Sequence, residues 1–173
     1  MALLDRISRA LRPVQPPGDV LYRAIVSAAR EPDWYLAGEV PDTVDGRFDV
    51  VALVLALVLL RLERDAGEQA QFSADLTERF IADMDGSMRE LGIGDPTVGK
   101  HVGHMVSALG GRLGAYREAF AGVADLREAV ARNVYRSAPV TPAALDWTTA
   151  RATALQARLA VAPTMPLIEG RLP

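Results

Sequence analysis

An all-α domain, a single helical bundle around a fully buried central helix, is the fold this sequence predicts. Three observations carry that reading. Val50 to Leu60 contains no polar side chain. Two later stretches carry apolar residues at helical spacing. No stretch shows a convincing strand alternation. A surface helix keeps a polar face at a period of 3.6 residues, so a helix apolar all round must be covered all round. At about 1.5 Å per residue the run reaches only about 16 Å, whereas a bilayer core takes about 20 residues. A buried strand is the rival. The length of the run and its lack of Gly, Pro or Asn favour a helix over about Asp49–Arg64.

Taken in order, residues 1–17 read as an amphipathic helix and a stiff connector. Leu3, Leu4, Ile7 and Leu11 share one helical face, and Pro13, Pro16 and Pro17 follow. That face suits docking on its own domain, or a membrane surface. Residues 18–162 form the main domain. Asp19 is placed to cap a helix running to about Arg30 with Leu21, Ile25 and Val26 inward. A long loop from Glu31 to Gly46 follows, and long loops in compact bundles are often functional. Asp45 is positioned to cap the buried helix, with Arg61 and Arg64 near its negative end. Phe72, Leu76, Phe80, Ile81, Met84, Met88 and Leu91 draw the stripe of a second long helix, closed by Gly92 and Gly94. Asp95-Pro96 restarts the chain. Val98, Val102, Met105, Leu109, Leu113, Tyr116 and Phe120 mark a third. Shorter helices are expected over about Val123–Tyr135 and Pro142–Leu159, the latter capped by Thr141. Residues 163–173, with three prolines, read as an irregular tail.

Composition narrows the function. The 173 residues carry a net charge of −3, no cysteine, and no basic face of the kind nucleic-acid binders use. Disulfides, thiolate metal sites and thiol redox chemistry are thereby excluded. The amino terminus lacks the apolar core of a signal peptide, which points to the cytoplasm.

Each motif is weak on its own. Gly94-Asp-Pro-Thr-Val-Gly99-Lys100 matches a phosphate-binding loop for seven positions, but His101 stands where Ser or Thr should hold magnesium. It also follows a helix rather than a strand. His101 and His104 have metal-ligand spacing without an adjoining carboxylate. Asp83-Met-Asp85 misses the EF-hand pattern, with Gly86 at the fourth position and Glu90 at the eighth. It reads as an acidic patch that pairs with Arg89 or Arg47. No catalytic, metal or cofactor site emerges. The third long helix is rich in small residues: Gly99, Gly103, Ser107, Gly111 and Ala115 recur every four positions, beside Gly110 and Gly114. Such spacing permits close backbone approach. Packing on the central helix is the first expectation, and a shallow groove for an apolar client helix is the second.

Three stretches together resemble the ubiquinol–cytochrome c chaperone family: Ala29-Arg-Glu-Pro-Asp-Trp-Tyr35, Val40-Pro-Asp-Thr-Val-Asp-Gly-Arg-Phe-Asp49, and Asp83 through Gly99-Lys100 to Gly111-Arg112 and Tyr116. The similarity covers roughly Leu21 to Phe120. It implies a helical, non-enzymatic assembly factor without cofactor, which binds newly made cytochrome b as its client and works peripherally at the inner membrane. Mitochondrial members also act with a small partner protein at the ribosome exit region. Here Gly103 and His104 replace the basic residues usual after Gly-Lys, which weighs against a ribosome contact carried by charge.

On this reading Trp34, Tyr35, Asp83, Asp85, Arg89, Gly99, Lys100, Gly103, Gly111, Arg112 and Tyr116 are the expected client or partner residues. Lys100, Arg112 and Tyr116 are the ones expected to reach outward. Pro41, Asp42, Asp45, Gly46, Arg47 and Asp49 are expected to fix the loop over the buried helix. Two other classes stand beside the chaperone: a small metal-dependent helical enzyme using Asp83, Asp85, His101 and His104, and a membrane-peripheral scaffold anchored by residues 1–12.

Overall fold

The structure is a computed structural model that describes residues 18–65, 67–90 and 98–173, without the side chains of 88, 90 and 98–102. Eight helices form among the described residues: α1 (Asp19–Ala29), α2 (Asp33–Leu36), α3 (Val44–Glu63), α4 (Ala70–Glu90), α5 (Val98–Phe120), α6 (Leu126–Val134), α7 (Pro142–Val161) and α8 (Thr164–Ile168). Residues 1–17 and the junction containing Gly92, Gly94 and Asp95-Pro96 lie outside the described residues.

Helix α3 is the axis of the bundle. Every residue from Asp49 to Leu62 is buried, and α1, α4, α5, α6 and α7 all pack against it. The unbroken apolar run dictates this arrangement, because each of its faces needs a neighbour. Helix α4 turns Leu76 and Phe80 inward, and α5 turns Met105, Leu109 and Tyr116. No described helix is long and apolar enough to cross a membrane.

Several boundaries differ from the sequence reading, each for a local reason. Helix α3 starts at Val44 because Thr43, not Asp45, is its cap: the extended Thr43 accepts a hydrogen bond from the Gly46 amide at 3.1 Å. Asp45 sits one turn in, where its charge still favours the positive helix end. Similarly, Gly18 rather than Asp19 precedes α1. Its φ of 83° and the Leu76 backbone 3.3 Å from where a Cβ would lie suit only glycine. Asp19 instead accepts a hydrogen bond from Arg79 Nε at 2.7 Å. Within the long loop, α2 buries Trp34 against Trp147, edge to face at 5.7 Å. Helix α6 begins at Leu126, capped by Asp125, while Thr141 caps α7 as expected. Residues 163–173 are not wholly irregular. Arg61 donates to Ala162 O and Thr164 and pairs with Asp65, and Leu167 is fully buried, so α8 is fastened to the bundle.

For the described glycines of α5, the expectation that they pack on the central helix is overturned. Among the described residues, a Cβ at Gly103, Gly110, Gly111 or Gly114 would meet nothing within 4 Å. The apolar stripe of α5 claims the inward face, and these glycines are left on the other.

Candidate functional site

Asp49 is the last charged residue before the apolar run of α3, and its side chain is only 2% exposed. A buried carboxylate needs partners, and two distant arginines supply them. Arg112 of α5 donates through Nη2 to Oδ1 at 2.5 Å. Arg136, just beyond α6, donates through Nε to Oδ2 at 2.7 Å. Burial pushes the Asp49 carboxyl above its ordinary value, and the hydrogen bonds and charges of Arg136 and Arg112 pull against that without cancelling it. Arg112 also lies over the Phe48 ring at 5.3 Å. Its Nε, Tyr116 OH and Asn133 Nδ2 are buried without a hydrogen-bond partner among the described residues.

Above this cluster, at the amino-terminal end of α3, a depression runs between α1, α4 and α5. One part is a cleft of about 390 Å³ lined by Val44, Phe48, Met84, Met105 and Ala108, with Asp45, Ser87, His104 and Arg136 at its edge. Val44, Phe48, Met84 and Ser87 continue into a second hollow of about 200 Å³ beside Val26, Val51 and Asp83. Arg30 and Arg47 then lead into a third, of about 510 Å³, bordered by Tyr35, Leu36 and Asp42. Unbranched, polarizable methionines adapt to irregular apolar partners. The surrounding charges are mostly neutralised by their neighbours: Arg47 with Asp42 at 2.6 Å, Arg136 with Asp45 at 2.8 Å, and Arg89 with Asp85 at 2.8 Å. Such a surface suits an apolar protein segment better than a small charged substrate.

The sequence-predicted residues do not all meet at one place. Tyr35, Asp42, Asp45, Arg47 and Asp83 border the depression. Asp83 accepts the Tyr22 hydroxyl at 2.8 Å, and burial pushes that phenol up. Asp85 and Arg89 pair with each other one turn further along α4, and Gly103 and Gly111 are exposed on α5. Buried Trp34 braces the fold: its Nε1 donates to Ala28 O at 2.9 Å. Pro41 and Gly46 close the loop on α3, where a Cβ on Gly46 would lie 1.9 Å from Pro41 O. The outward role expected of Arg112 and Tyr116 is corrected. Four residues apart on α5, they share the face that meets α3, so Arg112 binds buried Asp49 and Tyr116 is fully buried. Burial pushes the Tyr116 phenol up as well. The side chain of Lys100, like that of His101, and any contact at Gly99 lie outside the described residues. Among the described residues no three His, Asp or Glu gather as metal ligands.

Two features escaped sequence reasoning. Met105 and Phe48 line the cleft, although helical spacing assigns Met105 to the core, and Arg136 belongs to no motif. One signal was present. Asp49 abuts an apolar run, which demands buried cations from elsewhere in the chain.

An all-α scaffold with an apolar cleft braced by ion pairs has the anatomy of a protein-binding module. The family model described as ubiquinol-cytochrome C chaperone matches residues 37–165. The chain belongs to that family. Among solved structures it is similar to the crystal structure of the Cbp3 homolog from Brucella abortus, with a TM-score of 0.77 and 29% sequence identity, over 99% of this chain and 93% of that one. No curated protein matches the chain.

Proposed function

We propose that this chain is a non-enzymatic assembly chaperone that holds newly made cytochrome b while ubiquinol–cytochrome c reductase is built, with the cleft at the amino-terminal end of α3 as the holding site. The observation that carries this reading is the family match over residues 37–165, a span that includes the entire lining of the 390 Å³ cleft. The chemistry is consistent with it. A client of long apolar helices gains about 25 cal/mol for each Å² it hides from water, and holding it requires no bond to be made or broken. The working place is the cytoplasmic side of the inner membrane, where residues 1–12 add a peripheral contact. A small partner protein and the ribosome exit region complete the set of proposed partners.

Affinity capture of a tagged full-length chain from mildly solubilised cells tests the reading. Cytochrome b is expected among the enriched proteins, and deletion of the gene is expected to lower mature reductase. Absence of cytochrome b from the capture, with normal reductase in the deletion strain, would overturn it. Ribosomal proteins in the same capture would mark the exit-region contact.

A further inference from the structure

Arg136 borders the apolar cleft where α6 gives way to the turn toward α7. Its backbone φ is 53° and that of the next residue, Ser137, is 58°. Two consecutive left-handed residues with side chains are uncommon, because the Cβ crowds the carbonyl. Strain of this kind persists only where the surroundings hold it, and it concentrates at ligand clamps.

The guanidinium has two unlike partners. Through Nε at 2.7 Å, and at the longer distance of 3.4 Å through Nη2, it donates to Asp49, which is 2% exposed and already paired with Arg112. Through Nη1 it donates at 2.8 Å to Asp45, which is 72% exposed and borders the same cleft. The first contact is an anchor. The second is an ion pair in water, which contributes little and is readily exchanged for an equivalent one. Asp49 keeps Arg112 whatever Arg136 does with its outer edge, so neutralising the buried charge does not occupy the whole guanidinium.

Resting on the chaperone reading of this cleft, we infer that Arg136 is a specificity determinant that accepts a carboxylate from the apolar client segment, with Asp45 holding that place until the client arrives. An apolar cleft alone discriminates poorly between apolar segments, whereas Nη1, held in place by the anchoring of Nε and Nη2 on Asp49, offers a charge-assisted hydrogen bond that favours a carboxylate. A seated segment also excludes water from the new pair and strengthens it relative to the exposed pair with Asp45.

The test uses the full-length tagged chain and cytochrome b made by cell-free translation in detergent micelles. Arg136→Gln is expected to lower the unfolding midpoint, because buried Asp49 keeps only Arg112, and to lower capture about tenfold at a temperature where the variant remains folded. Arg136→Lys restores capture only in part, because an ammonium lacks the planar fork. Asp45→Asn removes the competitor and is expected to raise capture about threefold, the size of an exposed ion pair. A purely structural Arg136 would give no such gain. With a cytochrome b whose acidic residues bordering its apolar helices are changed to amides, the parent and Arg136→Gln should bind alike. If the parent captures cytochrome b and neither Arg136→Gln nor Asp45→Asn changes the amount, the inference is overturned and the chaperone reading stands. If the parent captures none, the inference falls, and the chaperone reading falls with it when the deletion strain also keeps normal reductase. Should Arg136→Gln fail to fold, Asp45→Asn decides alone, and unchanged or reduced capture by that folded variant overturns the inference.

Discussion

Asp49 is the residue on which the site is built. Taking one partner from a buried ion pair strands the other charge in a medium that solvates it poorly. Asp49→Asn leaves Arg112, whose side chain is 11% exposed, without its carboxylate. The expected loss of stability is about 3–5 kcal/mol, read from urea unfolding. Asp42→Asn removes only the exposed pair with Arg47 and is expected to leave the urea midpoint unchanged. The two aspartates look alike in the sequence, since both belong to the stretch before the apolar run. Spacing reveals that Asp49 is the last polar position before burial. It does not reveal which arginines, 63 and 87 positions later, come to meet it. Arg112 was legible as a site residue but not its inward direction, and Arg136 was not legible at all.

Helices were legible wherever a stripe ran for several turns, and their ends were less so. Thr43 and Asp45 both have capping chemistry, and only the backbone conformation chooses between them. The glycines of α5 carry the main prediction for this helix. With nothing among the described residues within 4 Å of an added Cβ, Gly103→Ala and Gly111→Ala should each raise stability by about 0.5–1 kcal/mol in thermal or urea unfolding. If a client backbone lies against this face, the same variants should weaken cytochrome b capture while becoming more stable, a divergence that packing within the domain would not produce. Gly46→Ala should destabilise, because its Cβ collides with Pro41 O. Helix α8 is held by Asp65, whose carboxyl is kept below its ordinary value by the Thr164 hydroxyl and by Arg61. A group depressed in this way contributes stability above its unfolded pKa, and the contribution is lost as pH falls through the folded one. Acidification below 3.8 should therefore loosen the α8 attachment. Asp65→Asn should flatten that part of the pH–stability profile, measured by circular dichroism.

For the molecule as a whole, one apolar run decides the architecture. A helix without a polar face must be surrounded, and five other helices surround α3. The depression lies at the amino-terminal end of that axis, where α3 emerges from its apolar stretch and Val44, Asp45 and Phe48 stand at the edge of the core. Fold class and family were legible because they rest on long patterns. The cleft was not, because it is formed by side chains from separate helices, among them Phe48, Met84 and Met105, brought together only by packing. The central claim is that this cleft receives the client. Site-specific photocross-linking during cell-free synthesis of cytochrome b tests it most directly, with the photoreactive residue at Ser87 or His104 on the cleft and at Val161, 83% exposed at the carboxy-terminal end of α7. The account predicts adducts with cytochrome b from Ser87 and His104 and none from Val161. Adducts from Val161, with none from the two cleft positions, would contradict it.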